Sequence, residues 1–214
     1  MQRIKIDLVS DIACPWCAIG YARLQQALDL LPNISAELEW HAFLLNPDKN
    51  APQEPILEAL SKKYGRDINE LRATQDNMIT IATELGLNFA KLQQRNTCNT
   101  FDGHRLVKWA ATQQKADAMK LALFDAYFGQ AKNVADHQVL ADCAEQAGLD
   151  KAAASKVLAS NEYETAVNDD IAKYQQAGIS SVPAFIINNK YLISGAQEPA
   201  QLAASLEQIA VEMA

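Results

Sequence analysis

The sequence predicts an α/β fold in two strand-bearing halves, separated by a long helical segment. Three observations carry this. The N-terminal region reads as strand, helix, strand, a βαβ unit. The C-terminal region reads as strand, tight turn, strand, helix, a ββα unit. Between them about 120 residues carry helical periodicity alone. At the first strand-to-helix junction stands Cys14-Pro15-Trp16-Cys17.

The first strand is apolar at Ile4, Ile6 and Leu8. After a short polar turn a helix opens at the cysteines and runs to about Leu31, where Pro32-Asn33 stops it. Ser35 to Leu45 then alternates, with Ala36, Leu38, Trp40 and Ala42 against Glu37, Glu39, His41 and Phe43. That predicts a second strand, parallel to the first because a helix joins them. Residues 46–55 break all periodicity and read as a linker. Asp67 with Glu70 predicts a capping box on a helix that carries Ile68, Leu71, Ile79, Ala82 and Leu85 and closes at Gly86. Further helices are expected from about Gly103, from Asp117, from Asp136 to Gly148, from Asp150, and from Ser160 to Ala177. Pro183 to Ile187 and Lys190 to Ile193 flank Asn188-Asn189 as a hairpin, and Pro199 opens a terminal amphipathic helix with Leu202, Leu206, Ile209 and Met213. The expected division is a two-part α/β domain, residues 1–50 and 161–214, with an all-helical insertion at 51–160.

At 214 residues and 49% apolar composition the chain can bury a full core. A net charge of −7 leaves no basic footprint for nucleic acid or an anionic membrane, so neither is an expected partner. No run approaches the apolar length that spans a bilayer. The opening residues lack a charged head followed by an apolar run, so no secretory leader is expected and the predicted compartment is the cytoplasm. There a Cys-x-x-Cys is more often catalytic or metal-binding than structural.

The dithiol carries the chemistry. Cys14 falls where free amide N–H groups and the positive end of a helix dipole favour a thiolate, the form that attacks disulfides. Pro15 suits a first helical turn, which needs no N–H there. Cys17, one turn on, is placed to resolve a mixed disulfide. Structural zinc would need a second pair at matching spacing, but Cys98 and Cys143 stand alone and His41, His104 and His137 add no ligand spacing. No metal is expected. Cys143, among Val139, Leu140 and Ala147, reads as core, and Cys98 as a small buried hydrophobe or a third thiol near the site. Trp16 reads as contact surface. Read as helix residues alone, His104 and Arg105 would be solvated.

Two stretches, Asp11-Ile12-Ala13-Cys14-Pro15-Trp16-Cys17-Ala18-Ile19-Gly20 and Asn99-Thr100-Phe101-Asp102-Gly103-His104-Arg105-Leu106, with Ser181-Val182-Pro183, resemble the DsbA family of thioredoxin-fold proteins. Within it they are similar to the FrnE-like branch, grouped with 2-hydroxychromene-2-carboxylate isomerases and kappa-class glutathione transferases. The resemblance implies a thioredoxin fold and a cis proline at Pro183 facing the dithiol. It implies catalytic roles for Cys14, Cys17 and Pro183. It also implies a substrate groove bordered by Pro15, Trp16, Val182, Asn99, His104 and Arg105, in which the Val182 backbone pairs with substrate as an added strand does.

The expected function is thiol–disulfide exchange on protein or small-molecule disulfides, with no cofactor beyond glutathione as a co-substrate. The alternative is a glutathione-dependent isomerase or transferase acting on an aromatic small molecule. In that branch serine usually stands at the position of Cys14, so the intact Cys-x-x-Cys counts against it. Glutathione would lie along Val182 and the Gly195-Ala196-Gln197 turn, with its carboxylate at a helix N-terminus. A third reading is a non-enzymatic peptide-holding module. A monomer and a homodimer both stay open.

Overall fold

The computed structural model describes residues 2–212; Met213, expected on the last helix, lies outside them with Met1 and Ala214. Four strands form one sheet in the order β2-β1-β3-β4. β1 (Gln2–Ser10) lies between β2 (Ile34–Ala42), parallel to it, and β3 (Ala184–Ile187), antiparallel, with β4 (Tyr191–Ser194) at the far edge. The β3–β4 turn holds Asn188 and Asn189 at φ 51° and 56°, the left-handed pair a tight hairpin needs. The expected βαβ and ββα halves therefore meet along β1.

Strand alternation sorts the residues between two faces. Ile4, Ile6, Leu8, Phe185 and Ile187 share a core with α1 (Pro15–Asp29) and α9 (Pro199–Glu212), through Ile19, Leu24, Leu202 and Leu206. Val9 and Ala184 pack instead with Tyr174 of α8 (Glu164–Gln176) and with Ile179. The first core continues into the inserted helices through Trp40, Leu106, Leu123 and Phe128.

The helical segment comprises α2 (Ile56–Tyr64), α3 (Ile68–Glu84), α4 (Phe101–Ala111), α5 (Ala116–Phe124), a π-helical turn (Asp125–Gly129), α6 (His137–Gln146) and α7 (Lys151–Leu158). Asp67, Asp136 and Asp150 cap α3, α6 and α7 through their carboxylates, as expected. Gly86 and Gly148 follow α3 and α6 with φ of 73° and 77°.

Several boundaries differ from the sequence reading, and in three of them a backbone group has another partner. β2 stops at Ala42 rather than Leu45; three residues on, the chain has turned so that Leu45 N–H reaches Asp11. α4 begins at Phe101 rather than near Gly103, where Asn99 accepts the Phe101 N–H at 3.0 Å. α8 begins at Glu164 rather than Ser160, because the Ser160 and Glu162 carbonyls accept from Arg105. Among the described residues no helix is long and apolar enough to cross a membrane.

Candidate active site

Cys14 sits at the N-cap of α1 in extended conformation (φ −93°, ψ 111°), with Pro15 as the first helical residue. Its carbonyl accepts the Cys17 N–H at 3.0 Å, which winds the first turn and stacks the two side chains on one side. Both thiols are free. Cys14 is 6% exposed and Cys17 fully buried. Burial pushes the Cys17 thiol well above its ordinary value and neighbouring Cys14 adds to this, while the charge of Lys120 works the other way.

Across from the dithiol, the Val182–Pro183 peptide bond is cis, and the Val182 carbonyl lies 3.6 Å from Cys14 Sγ. Gly20 permits this approach. A Cβ there would stand 2.9 Å from Pro183 Cγ and 3.3 Å from Phe185 Cζ. Pro183 in turn accepts the Gly195 N–H at 2.9 Å, and Arg23 of α1 holds the next turn at the Ala196 carbonyl and Glu198.

The loop before Cys14 is fixed by Asp11, which is buried and accepts from Ala13 N–H (3.1 Å), Leu45 N–H (2.6 Å) and the Thr100 hydroxyl (2.7 Å). His104 Nε2 stands 3.6 Å away. Burial opposes charge on Asp11, but His104 and the other donors outweigh it and hold the carboxyl below its usual range. Burial pulls the His104 imidazole down to about 4. The pair is therefore an ionised Asp11 beside a neutral His104. Close packing completes the joint: a Cβ on Gly103 would meet Ile12 Cδ1 at 2.7 Å.

Lys120 of α5 is fully buried beneath this region, and its Nζ has no hydrogen-bond partner among the described residues. It lies 5.0 Å from the Trp40 ring and 5.5 Å from that of Phe124. Burial draws it down to about 8, against the charges of Cys17, Asp11 and Cys14.

The residues expected around the groove divide. Cys14, Pro15, Trp16 and Val182 line one cleft of about 1040 Å³. Asn99 stands one step back, donating to the Asn46 carbonyl at 3.0 Å while Asn46 lines the cleft. His104 and Arg105 do not line it. Neither is solvated either, both being 2% exposed. His104 faces Asp11, and Arg105 binds the carbonyls of Val157 (2.6 Å), Ser160 (2.5 Å) and Glu162 (2.9 Å) and the Asp102 carboxylate (2.8 Å). Arg105 ties α4 to the end of α7 and the loop after it, and His104 packs α4 against the loop before Cys14; a helical wheel reveals neither, because most of the partners are far off in sequence.

The opposite cleft wall has no distinguishing signature in the sequence. It includes Leu60 and Lys63 of α2, Leu71, Gln75 and Met78 of α3, and Arg95. Cys98 and Tyr127 also line the cleft. Burial pushes the Cys98 thiol up to about 12, so it stays protonated, and Cys143 lies in the core and rises to about 11 for the same reason. Asp7, Glu39 and His41 bring three potential metal-ligand atoms within 4.8 Å of one another. Lys5 already bridges that cluster, at 3.2 Å from Asp7 and 2.7 Å from Glu39.

Comparison with known proteins places these features in context. Residues 5–207 match the DSBA-like thioredoxin domain family. The probable DsbA oxidoreductase SCO1869 of Streptomyces coelicolor is 32% identical and superposes with a TM-score of 0.92, over 99% of this chain and 91% of that one. The uncharacterised protein YwbO of Bacillus subtilis is 28% identical over 190 residues, 87% of this chain and 88% of its own. The cytosolic disulfide reductase DsbM of Pseudomonas aeruginosa, solved with GSH, shares the fold at a TM-score of 0.64 and 16% identity, covering 96% of this chain and 98% of DsbM.

Proposed function

This chain belongs to the DSBA-like thioredoxin domain family, and we propose that it is a thiol–disulfide oxidoreductase whose redox centre is Cys14 and Cys17. The observation that carries the reading is the apposition of Cys14 Sγ, at the α1 N-terminus, to the Val182 carbonyl at 3.6 Å, with Cys17 one turn behind.

Cys14 attacks as the thiolate, the nucleophilic form of a thiol. Its lone pair forms a bond to one sulfur of the substrate disulfide, and the other sulfur leaves as thiolate. Cys17 then gives up its proton, which ends on a released thiolate. Its sulfur attacks Cys14 Sγ, the mixed disulfide breaks, and the second substrate thiol departs. Two electrons have passed to the substrate and the protein holds a Cys14–Cys17 disulfide. A dithiol substrate runs the same steps backwards. Burial holds Cys17 as a thiol until it is needed, and Lys120 is the cation whose field favours its thiolate. Val182 and Pro183 form the opposite lip, where the Val182 carbonyl can accept from a substrate N–H.

The test is equilibration in glutathione buffers with the Cys14–Cys17 disulfide read by mass. A reversible two-electron couple between about −120 and −270 mV is expected. Absence of any disulfide at every poise, with tight glutathione binding, would replace this reading with glutathione-dependent isomerisation.

A further inference from the structure

A cluster of ionisable groups lies between the sheet and α8, away from the dithiol. His41 of β2 is 5% exposed, and both of its ring nitrogens face carboxylates. Nδ1 lies 2.8 Å from Asp170 of α8 and Nε2 3.2 Å from Asp7 of β1, with Glu39 at 3.8 Å. Lys5 stands 3.2 Å from Asp7 and 2.7 Å from Glu39, and Lys108 of α4 stands 2.7 Å from Asp170. Tyr174 of α8 packs on the imidazole with ring centroids 4.8 Å apart, and Lys173 reaches the Tyr174 hydroxyl at 3.2 Å. Burial pushes that hydroxyl up, so it stays neutral. A neutral imidazole has a single N–H, so it donates to one carboxylate and turns a lone pair on the other. Charge counting agrees. Asp7, Glu39 and Asp170 are matched by Lys5, Lys108 and an imidazolium, whereas a neutral His41 leaves one carboxylate in excess, with Asp7 and Asp170 both buried. Burial opposes charge on His41, but Asp170 and Asp7 outweigh it.

What this cation holds leads to the dithiol. Asp170 also accepts the Ala42 N–H at 3.0 Å, so α8 is pinned to the end of β2. Beyond Gln176 the chain turns at Gly178, with φ of 81°, and runs directly into Ser180, Ser181 and Val182 on the cleft. Tyr174, Ile179, Val9 and Ala184 form one buried cluster against which Val182 packs. The Val182 carbonyl in turn lies 3.6 Å from Cys14 Sγ. Packed contacts thus run without a gap from the imidazole, through Tyr174, to the lip of the site. We infer that protonated His41 is a positioning residue for disulfide exchange, clamping α8 to the sheet so that Val182 stays opposite Cys14. The inference rests on the exchange chemistry proposed above and adds its control by pH. Loss of the His41 proton loosens α8 and the Val182 lip, and a substrate whose N–H pairs with the Val182 carbonyl loses that contact. The sulfur chemistry itself is unchanged.

The experiment uses reduced full-length protein and two neutral disulfides: that of N-acetylcysteine N-methylamide, which carries amide N–H groups, and bis(2-hydroxyethyl) disulfide, which carries none. Oxidation of Cys14–Cys17 by each is followed by rapid quench and mass from about pH 5.5 to about pH 9.5. Both substrates meet the same Cys14 thiolate, so the ratio of the two rates cancels its ionisation and that of any group acting through it, Lys120 included. The ratio should be highest and level below pH 6.5 and fall about tenfold as His41 loses its proton above that pH, the size of one charge-assisted hydrogen bond. His41→Gln, neutral at every pH, and Asp170→Asn should each hold the ratio low and level throughout. Hydrogen exchange on the wild type, read by mass and corrected for the intrinsic rate, needs no variant. Protection across residues 164–182 should fall about tenfold over the same pH range while that of α1 and α9 holds. A level wild-type ratio, a His41→Gln protein that keeps the wild-type fall, or pH-independent protection of residues 164–182 would overturn the inference while leaving the exchange reading intact. If neither disulfide oxidises the dithiol at any pH, the exchange reading itself fails and takes the inference with it.

Discussion

Replacing His104 by Gln tests a buried, neutral histidine held against an ionised carboxylate. His104 is 2% exposed and 3.6 Å from Asp11, and burial holds its imidazole at about 4 against an ordinary value of 6.5. In the unfolded chain it protonates near 6.5, while in the folded chain it stays neutral. Protons therefore favour the unfolded state through this window, and the stability His104 contributes above pH 6.5 is lost as pH falls towards 4. A shift of roughly 2.5 units corresponds to about 3 kcal/mol in full, of which about 2 kcal/mol lies between pH 6.5 and 4.5. Ordinary carboxylates titrate mostly below that interval, so the fall belongs to the histidine. The alkaline limb has the opposite sign. Burial opposes charge on His41, but Asp170 at 2.8 Å and Asp7 at 3.2 Å outweigh it and raise its value above 6.5. The stability from His41 is complete below pH 6.5 and is lost as pH rises through its folded value. Wild-type stability should thus peak near pH 6.5. Urea unfolding followed by far-UV circular dichroism across this range gives the profile. His104→Gln should lose less than half as much as wild type between pH 6.5 and 4.5, with the alkaline limb retained. Equal acid losses in the two proteins would refute the assignment.

Two further substitutions separate scaffold from chemistry. Arg105→Met removes donors to three carbonyls and one carboxylate, and should cost about 3 kcal/mol in urea unfolding while leaving the Cys14–Cys17 potential unchanged; a potential shift without a stability loss would return Arg105 to the groove. Gly20→Ala places a methyl 2.9 Å from Pro183 Cγ. It should destabilise by about 1–3 kcal/mol through overpacking and slow disulfide exchange by moving the Val182 carbonyl away from Cys14. Unchanged stability and rate would mean that α1 and the Pro183 loop are not tightly apposed.

Local patterns were legible. The dithiol at a helix start, the Asp67, Asp136 and Asp150 caps and the Asn188-Asn189 hairpin each depend on residues a few positions apart. What stayed hidden depends on distant partners. His41 falls on the polar phase of β2, yet is buried, because α8 covers that face and Asp170 meets the imidazole. The α2 and α3 cleft wall has the spacing of a core stripe, with Leu60 and Lys63 on one helix and Leu71, Gln75 and Met78 on the other. Periodicity cannot tell a helix face that seals a core from one that borders a cavity, since both are apolar every three or four residues. Polar residues on that wall, Lys63, Thr74 and Gln75 among them, mark the difference.

The two stretches that carry the family resemblance meet each other at Asp11. Thr100 donates to Asp11, His104 stands against the same carboxylate, and Gly103 lets α4 close on Ile12. Asp11 also accepts the Ala13 N–H, so the residue before Cys14 is fixed from the helical segment. The α/β half supplies the sulfur atoms and the Val182 lip. The insertion supplies the anchor beneath them and, through α2, α3 and Arg95, the far wall of the cleft. Anchor and wall belong to one continuous stretch of chain, so the orientation of Cys14 and the shape of the space it faces are set by the same packing. The position of Cys14 and the far wall of its cleft are therefore coupled through the inserted helices.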